Sequence, residues 1–295
     1  AVTPITGVGF QPDFTWIKGR TLGASHQLTD SVRTAPKALK TNRTDAEDSE
    51  GVASFDSDGF TLQLWPNENG DSNTSGQDYV AWNWKGAEIP AINSNGSIPS
   101  VVSANPAAGF SIVSYTAGGT ANVGHGLGSA PAVIITKNLD VAEQWFVYHK
   151  DVGTQKFLGL NTTSAPISNS GVYTSITDTT FTNLISSTSR NYINYCFAEV
   201  AGFSKFGSYT GNGTSQTIVT GFEPAFVMLK RTDVSGYSWA IADNKRTDGE
   251  LLANVSDAER NENTPDFISN GFTMTTARYN DTGEEWIYMA FANQF

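Results

Sequence analysis

The chain has 295 residues, 39% of them hydrophobic and 16% charged, which excludes a charge-rich disordered tract or a long charged coiled coil and leaves room for two or three compact domains. Eighteen Lys and Arg against 29 Asp and Glu give a formal charge of -11, a field that repels a phosphate backbone and argues against nucleic acid as a partner. No run approaches the roughly 18 consecutive apolar residues of a membrane-spanning helix, and no basic stretch followed by an apolar core opens the chain as a signal peptide would, so no membrane insertion is expected.

Taken in chain order, the first element is Gly9-Phe-Gln-Pro-Asp-Phe-Thr-Trp-Ile-Lys18, an apolar strand entered through a proline and closed by a lysine. It returns as Gly128-Ser-Ala-Pro-Ala-Val-Ile-Ile-Thr-Lys137 and as Gly221-Phe-Glu-Pro-Ala-Phe-Val-Met-Leu-Lys230, displaced by 119 and then 93 residues. The asparagines Asn42, Asn161 and Asn254 keep the same two displacements. Agreement of separate landmarks in one register is the mark of an internal repeat. Ser57-Asp-Gly-Phe60 and Ser269-Asn-Gly-Phe272 match in the same way, with Phe181 as the degenerate middle copy. Between these landmarks, Thr34 to Lys40 carries the only helix-like signal, a threonine and an early proline, and Asp45, Glu47, Asp48 and Glu50 read as a solvated acidic loop.

Each copy closes on an aromatic strand: Tyr79 to Trp84, Tyr192 to Phe197, and Trp286 to Phe291. The second and third also open alike, Gly109-Phe-Ser against Gly202-Phe-Ser, whereas only Ala1 to Val8 precede the first Gly-Phe-x-Pro. The expectation is that the first copy lacks its opening strand and that Ala1 is not the native start. Residues 85–108, rich in Gly, Ser, Asn and Pro, read as an exposed linker. Short runs of Val, Ile, Phe, Tyr and Thr bounded by turn residues then give an all-β protein. It is expected to hold three tandem antiparallel β-sandwich modules of jelly-roll or lectin-like type: residues 1–84, 109–200 and 201–295.

Sites are sparse. Cys196 is alone, so disulfide and thiolate-zinc chemistry have no foothold, and its apolar run makes it a buried core residue. His26, His125 and His149 stand beside no nucleophile motif and read as polar loop or strand-edge residues. Glu284 and Glu285 are adjacent, so on a strand they face opposite sides and fail the geometry of a glycosidase pair. Asp56 and Asp58, with Asp71 further on, offer the oxygens that calcium takes, although Asp, Asn and Gly are equally ordinary turn formers. Lys18, Lys137 and Lys230 admit a shared ion pair or ligand contact, against the favoured reading of strand-end lysines whose stems cover the sheet. The repeated asparagines match glycosylation sequons but suggest turn caps. Trp65, beside Pro66 and outside the aromatic strands, is the candidate platform for a sugar ring.

Gly9 to Lys18, Asp30-Ser-Val-Arg33, Ser54 to Phe60 and Tyr79-Val-Ala-Trp82, with Gly124-His-Gly-Leu-Gly128, Tyr195 to Glu199 and Ser204 to Tyr209, together resemble a repeat domain of unknown function common in virion and tail-fibre proteins of marine bacteriophages. The resemblance implies a concanavalin-like sandwich and a structural role at a virion surface, as tail fibre or capsid decoration. Other virion proteins would then be partners, host glycans would be bound weakly, and the chain would form a homo-oligomer. It carries no catalytic residues to transfer, so the expectation is a protein that is not an enzyme. A secreted bacterial lectin or glycan-active enzyme is the competing reading.

Overall fold

The computed structural model describes residues 2–63, 72–183, 189–246, 249–262, 264–274 and 278–293. They form an all-β protein of antiparallel sheets with no helix among them. The first strands are β1 (Thr3–Thr6), β2 (Phe14–Gly19), β3 (Gln27–Asp30), β4 (Ser54–Asp56), β5 (Gly59–Leu62) and β6 (Tyr79–Trp84). There follow β7 (Ala91–Asn93), β8 (Ser100–Asn105), β9 (Phe110–Ala117), β10 (Ala121–Gly124), β11 (Val133–Asn138), β12 (Phe146–His149), β13 (Lys156–Phe157), β14 (Ile167–Ser168), β15 (Ser175–Ile176), β16 (Thr180–Asn183) and β17 (Arg190–Phe197). The last are β18 (Ser204–Thr210), β19 (Gln216–Val219), β20 (Phe226–Arg231), β21 (Ala240–Asp243), β22 (Gly249–Leu252), β23 (Arg260–Asn261), β24 (Asp266–Ile268), β25 (Gly271–Met274) and β26 (Glu285–Phe291).

One pairing pattern recurs along the chain. A large sheet has the order β3-β2-β6 in the first segment, β12-β11-β17-β9 in the middle one and β21-β20-β26-β18 in the last; a small sheet has the order β1-β5-β4, β10-β16-β15 and β19-β25-β24. The matched phenylalanines hold one register, Phe60 opposite Ile5, Phe181 opposite Val123 and Phe272 opposite Ile218, and all three are buried. Gly59 and Gly271 begin their strands where a Cβ would meet the carbonyl oxygens of Ile5 and Ile218 at 2.0 and 2.1 Å, so only glycine allows that approach.

Two expectations change. Residues 85–108 are not merely a connection, because β7 and β8 lie inside them and extend the middle sheet beyond β9; Ser and Asn did not prevent strand pairing where Val101 and Val102 fit the pleat. Thr34 to Lys40 forms turns, with Thr34 at φ 67°, and Ala38 and Leu39 bridge to Asp48 and Leu28 instead of starting a helix.

Alternation along each large-sheet strand feeds two faces. One packs on its own small sheet, as Ile17 does with Val52, Phe60 and Leu62, and the middle and last segments have clusters of the same kind. The other face enters a core common to all three segments. Trp84 sits at its centre, with ring centroids of Phe14, Phe110, Phe197, Phe226 and Phe291 at 5.3, 6.5, 6.1, 5.8 and 5.6 Å.

Buried polar bonds join the segments around this core. Trp145 Nε1 donates to Lys40 O at 3.0 Å and Trp239 Nε1 to Gly159 O at 2.9 Å, and His26 Nε2 bonds Leu252 O at 3.0 Å. The lysines run the same way: Lys137 to Thr44 O at 3.1 Å, Lys230 to Thr163 O at 3.3 Å and Lys18 to Ser256 O at 3.3 Å. Middle reaches first, last reaches middle, and first reaches last, so the set closes on itself.

His26 can join because Trp16 Nε1 donates to its Nδ1 at 2.9 Å, which leaves the proton on Nε2 for Leu252. Burial, with the charge of Lys18, pushes His26 down to about 3. Burial likewise pushes His149 down to about 4.

Trp84→Ala is expected to lower stability by about 3–5 kcal/mol while unfolding remains a single transition by calorimetry, since one core serves all three segments; three separable transitions would contradict a shared core. The histidines set an acid limit. Both fold neutral with lowered pKa values and accept a proton in the unfolded chain near pH 6.5, so their contribution is intact above that pH and is lost as pH falls toward 4. The loss is on the order of 3 kcal/mol for each. Trp16→Ile with His26→Trp copies the Ile135 and Trp145 pair into the first segment. Urea titrations at pH 7 and pH 4.5 should show the double variant losing less stability on acidification than the parent.

Candidate functional site

Burial accounts for most residues the sequence singles out. Lys18, Lys137 and Lys230 are fully buried, which corrects their reading as strand-end lysines: each ammonium is spent on carbonyls of its own and the neighbouring segment. Burial lowers Lys137 and Lys230 to about 8. The three histidines are buried as well, not polar loop residues; His125 Nε2 meets Thr177 O at 3.2 Å. Asn42, Asn161 and Asn254 accept from the backbone N–H of His26, Trp145 and Trp239 at 3.1, 2.9 and 2.9 Å, so in place of the local turn caps expected of them they tie together backbone that is distant in sequence. Cys196 is buried on β17.

Two of the oxygen ligands expected of a cation site make hydrogen bonds within the chain. Asp56 accepts from Ser54 Oγ at 2.8 Å and Thr61 Oγ1 at 2.7 Å. Asp58 accepts from the amides of Gly7 and Gly9 at 2.9 and 2.7 Å, bonds that lower its pKa. These are the hydrogen bonds of turn-forming residues. Asp71 and Trp65 lie outside the described residues. Among the described residues, no group of three or more His, Cys, Asp or Glu side chains is placed to hold a metal ion. The acidic loop is ion-paired: Glu47 with Arg33 and Lys37 at 3.2 and 2.8 Å, and Asp48 and Glu50 with Lys40 at 3.1 and 2.5 Å.

Two clefts remain. One of about 280 Å³ lies where the first and middle segments meet, between Arg33, Lys37 and Glu47 on one side and Ser114, Asp140 and Asn191 on the other. Arg33 and Lys37 pair with Glu47, and Asp140 accepts from the N–H and Nδ2 of Asn191 at 2.7 and 3.1 Å. The other, about 260 Å³, belongs to the last segment and is lined by Gly236, Tyr237, Ser238, Leu252, Arg260, Arg278, Tyr279, Asp281, Glu284 and Trp286.

This second cleft combines aromatic walls with charged rims. Tyr237 and Tyr279 stand edge-on to Trp286, at 6.2 Å and 85° and at 5.2 Å and 88°. Arg231 lies over the Tyr237 ring at 4.3 Å, holds Asp233 through two 2.7 Å bonds and also reaches Glu284. Trp286 Nε1 donates to Glu284 Oε2 at 3.0 Å, so the carboxylate is fixed from both sides. Arg278 lies over Tyr279 at 5.1 Å and holds Glu250 at 2.6 Å, a buried carboxyl whose pKa burial raises. Tyr237 is 41% exposed, whereas Trp286 is 1% exposed. With Arg231 over its ring, the exposed part of Tyr237 stands beside oriented Arg, Asp, Glu and Ser groups, a surface on which apolar contact and hydrogen bonding can combine. Sequence reading missed this cleft because its parts come from separated loops and from β22, β23 and β26; the available signal was the extra residue in Thr232 to Ser238 relative to the middle copy.

The architecture defines an all-β protein of sandwich type, with a recessed aromatic cleft in its last segment. The chain belongs to a family described as a domain of unknown function (DUF7483), whose model matches residues 1–294. No curated protein and no solved structure matches it.

Tyr237→Ala is expected to cost about 1 kcal/mol, because it removes the half-exposed ring's contacts with Arg231 and Trp286, whereas Trp286→Ala should cost about 3–5 kcal/mol. Thermal melts of the two variants check this and identify Tyr237 as the position at which binding can be tested without unfolding.

Proposed function

We propose that the chain consists of three tandem β-sandwich modules closed about one core, and that it serves as a structural protein at the surface of a bacteriophage virion, in a tail fibre or capsid decoration. In this reading its outer faces contact other virion proteins, and the cleft of the third module binds host-cell glycans weakly. The observation that carries the reading is the closed set of inter-segment bonds from matched positions. It ties three copies of one pattern into a single stiff body and uses the interior lysines and histidines for cohesion. What is left to act on a ligand is on the outside, where Tyr237, Arg260, Arg278 and Asp281 border the third-module cleft. Weak single sites of this kind gain strength when many copies are displayed on one particle. The motif resemblance from Gly9 to Tyr209 supports the virion assignment.

Two measurements test it together. Antibody raised against the purified chain should decorate intact particles in electron micrographs, and a glycan panel should show millimolar binding, reduced at least tenfold by Tyr237→Ala, with no release of sugar. Sugar released from a polysaccharide panel, or a chain found only free in the medium, would move the protein to the class of secreted glycan-active enzymes or lectins.

A further inference from the structure

Two arginines, Arg260 and Arg278, line the cleft of the last segment and at first suggest an anionic ligand. Their charges are already answered. Arg278 gives Nη2 to Glu250 at 2.6 Å, Nη1 to Glu262 at 3.4 Å and Nε to Tyr279 Oη at 3.0 Å, and Arg260 gives Nη2 to Asp257 at 2.5 Å. Arg231, beside them, is held by Asp233 and Glu284. Three guanidinium groups thus meet five carboxylates, and Asp281 in the cleft lining is a sixth. Asp281 is exposed, its backbone N–H donates to Glu284, and among the described residues its carboxylate accepts no hydrogen bond and forms no ion pair.

The buried member of this set is confined to the copy that has the cleft. Glu250 stands opposite Arg260, as Ala38 stands opposite Asp48 and Phe157 opposite Ile167, so the same position is apolar in the first and middle segments. All three side chains are buried. Glu250 Oε1 has no hydrogen-bond partner among the described residues. A buried charge pair in the place of an apolar side chain is a poor source of stability, which points to a use other than holding the fold. Here the carboxylate draws Arg278 inward and leaves the rim at Asp281 with a surplus of negative charge.

We propose that this cleft selects sugars that carry a protonated primary amine, 2-amino sugars without an N-acetyl group, and that Asp281 accepts the ammonium. The inference rests on the glycan reading above and narrows it. An ammonium at the rim pairs with the carboxylate that no arginine has claimed, in a field to which the surrounding carboxylates contribute more than the arginines. N-acetylation removes that charge, and a uronate brings one of the wrong sign. The exposed part of Tyr237 is left for the apolar C–H groups of the ring.

The test titrates the whole chain at pH 6, where the amine is protonated, with the tetrasaccharide of glucosamine, its fully N-acetylated counterpart and tetragalacturonate. The glucosamine oligomer should bind at least fivefold more tightly than either of the others, and the ratio should shrink as salt is raised. Asp281→Asn should bring the ratio of the glucosamine and N-acetylglucosamine affinities below twofold, with the melting temperature unchanged. If the N-acetylated or the uronate oligomer binds as tightly as the glucosamine one, the amine selection is overturned while the glycan reading stands; if none of the three binds, both fall. A preference that survives Asp281→Asn overturns the role of that carboxylate. Spermidine binding as tightly as the glucosamine oligomer, undiminished by Tyr237→Ala, would show attraction by charge alone and overturn the selection of a sugar.

Discussion

The constraint on which the structure depends is that three lysines are taken wholly out of water and must be answered by carbonyl oxygens. An ammonium without partners in such a place would be too costly to keep. Each finds one carbonyl beside its own strand or loop and a second in the neighbouring segment. None of the three acceptor sets is complete until the segments have come together, so local folding and assembly of the three sheets are coupled. The shared apolar core supplies the larger driving force by burial; the lysine bonds select one arrangement of the sheets among those that would bury similar area.

The same coupling explains exchanges of chemistry at matched positions. Tyr195 Oη donates to Asp30 Oδ2 at 2.8 Å and Trp82 Nε1 to Asp243 Oδ2 at 3.0 Å, and each aspartate is also held by an arginine three residues on, at 2.6 and 2.7 Å. Where the matching strand carries Met289, which cannot donate, the place of the aspartate is taken by His149 and that of the arginine by Val152. His149 Nδ1 accepts from Asp151 N, and its Nε2 then reaches the backbone oxygen of Tyr288 at 3.3 Å. Donor and acceptor trade sides while the junction stays bonded and loses its charges. A histidine that looks like isolated chemistry in the sequence is thus the third version of a structural contact.

Much of the fold was legible in the sequence because it is local. The Gly-Phe-x-Pro entries, the buried Phe60, Phe181 and Phe272 and the aromatic closing strands follow from alternation and turn residues within short windows. What was not legible is long-range. Lys18 meets Ser256 O across 238 residues, and no pattern near Lys18 distinguishes it from a lysine lying over a sheet edge. Composition misled at β7 and β8, where the Ser and Asn content hid two strands that gain their stability by adding to an existing edge. The cleft was hidden for the same reason as the lysines: Tyr237, Tyr279 and Trp286 converge only after the sheet has formed.

The division between interior and exterior decides where function can reside. Inside, matched positions are tied to one another through the closed set of bonds, so a change at His26, Lys137 or Asp30 must be answered in another segment, as the exchange at Met289 and His149 illustrates. Loops outside the set have no such partner. The loop Thr232 to Ser238 could gain a residue and present Tyr237 to solvent while Lys230 still held Tyr237 O and Thr163 O. The bond that anchors the sheet therefore also positions the backbone of the exposed tyrosine. A scaffold of this kind permits surface chemistry to vary between copies, and its rigidity fixes the orientation of the Tyr237 ring against Arg231 and Trp286. A ligand of the kind proposed would meet a ring already in place, with little loop entropy left to lose on binding.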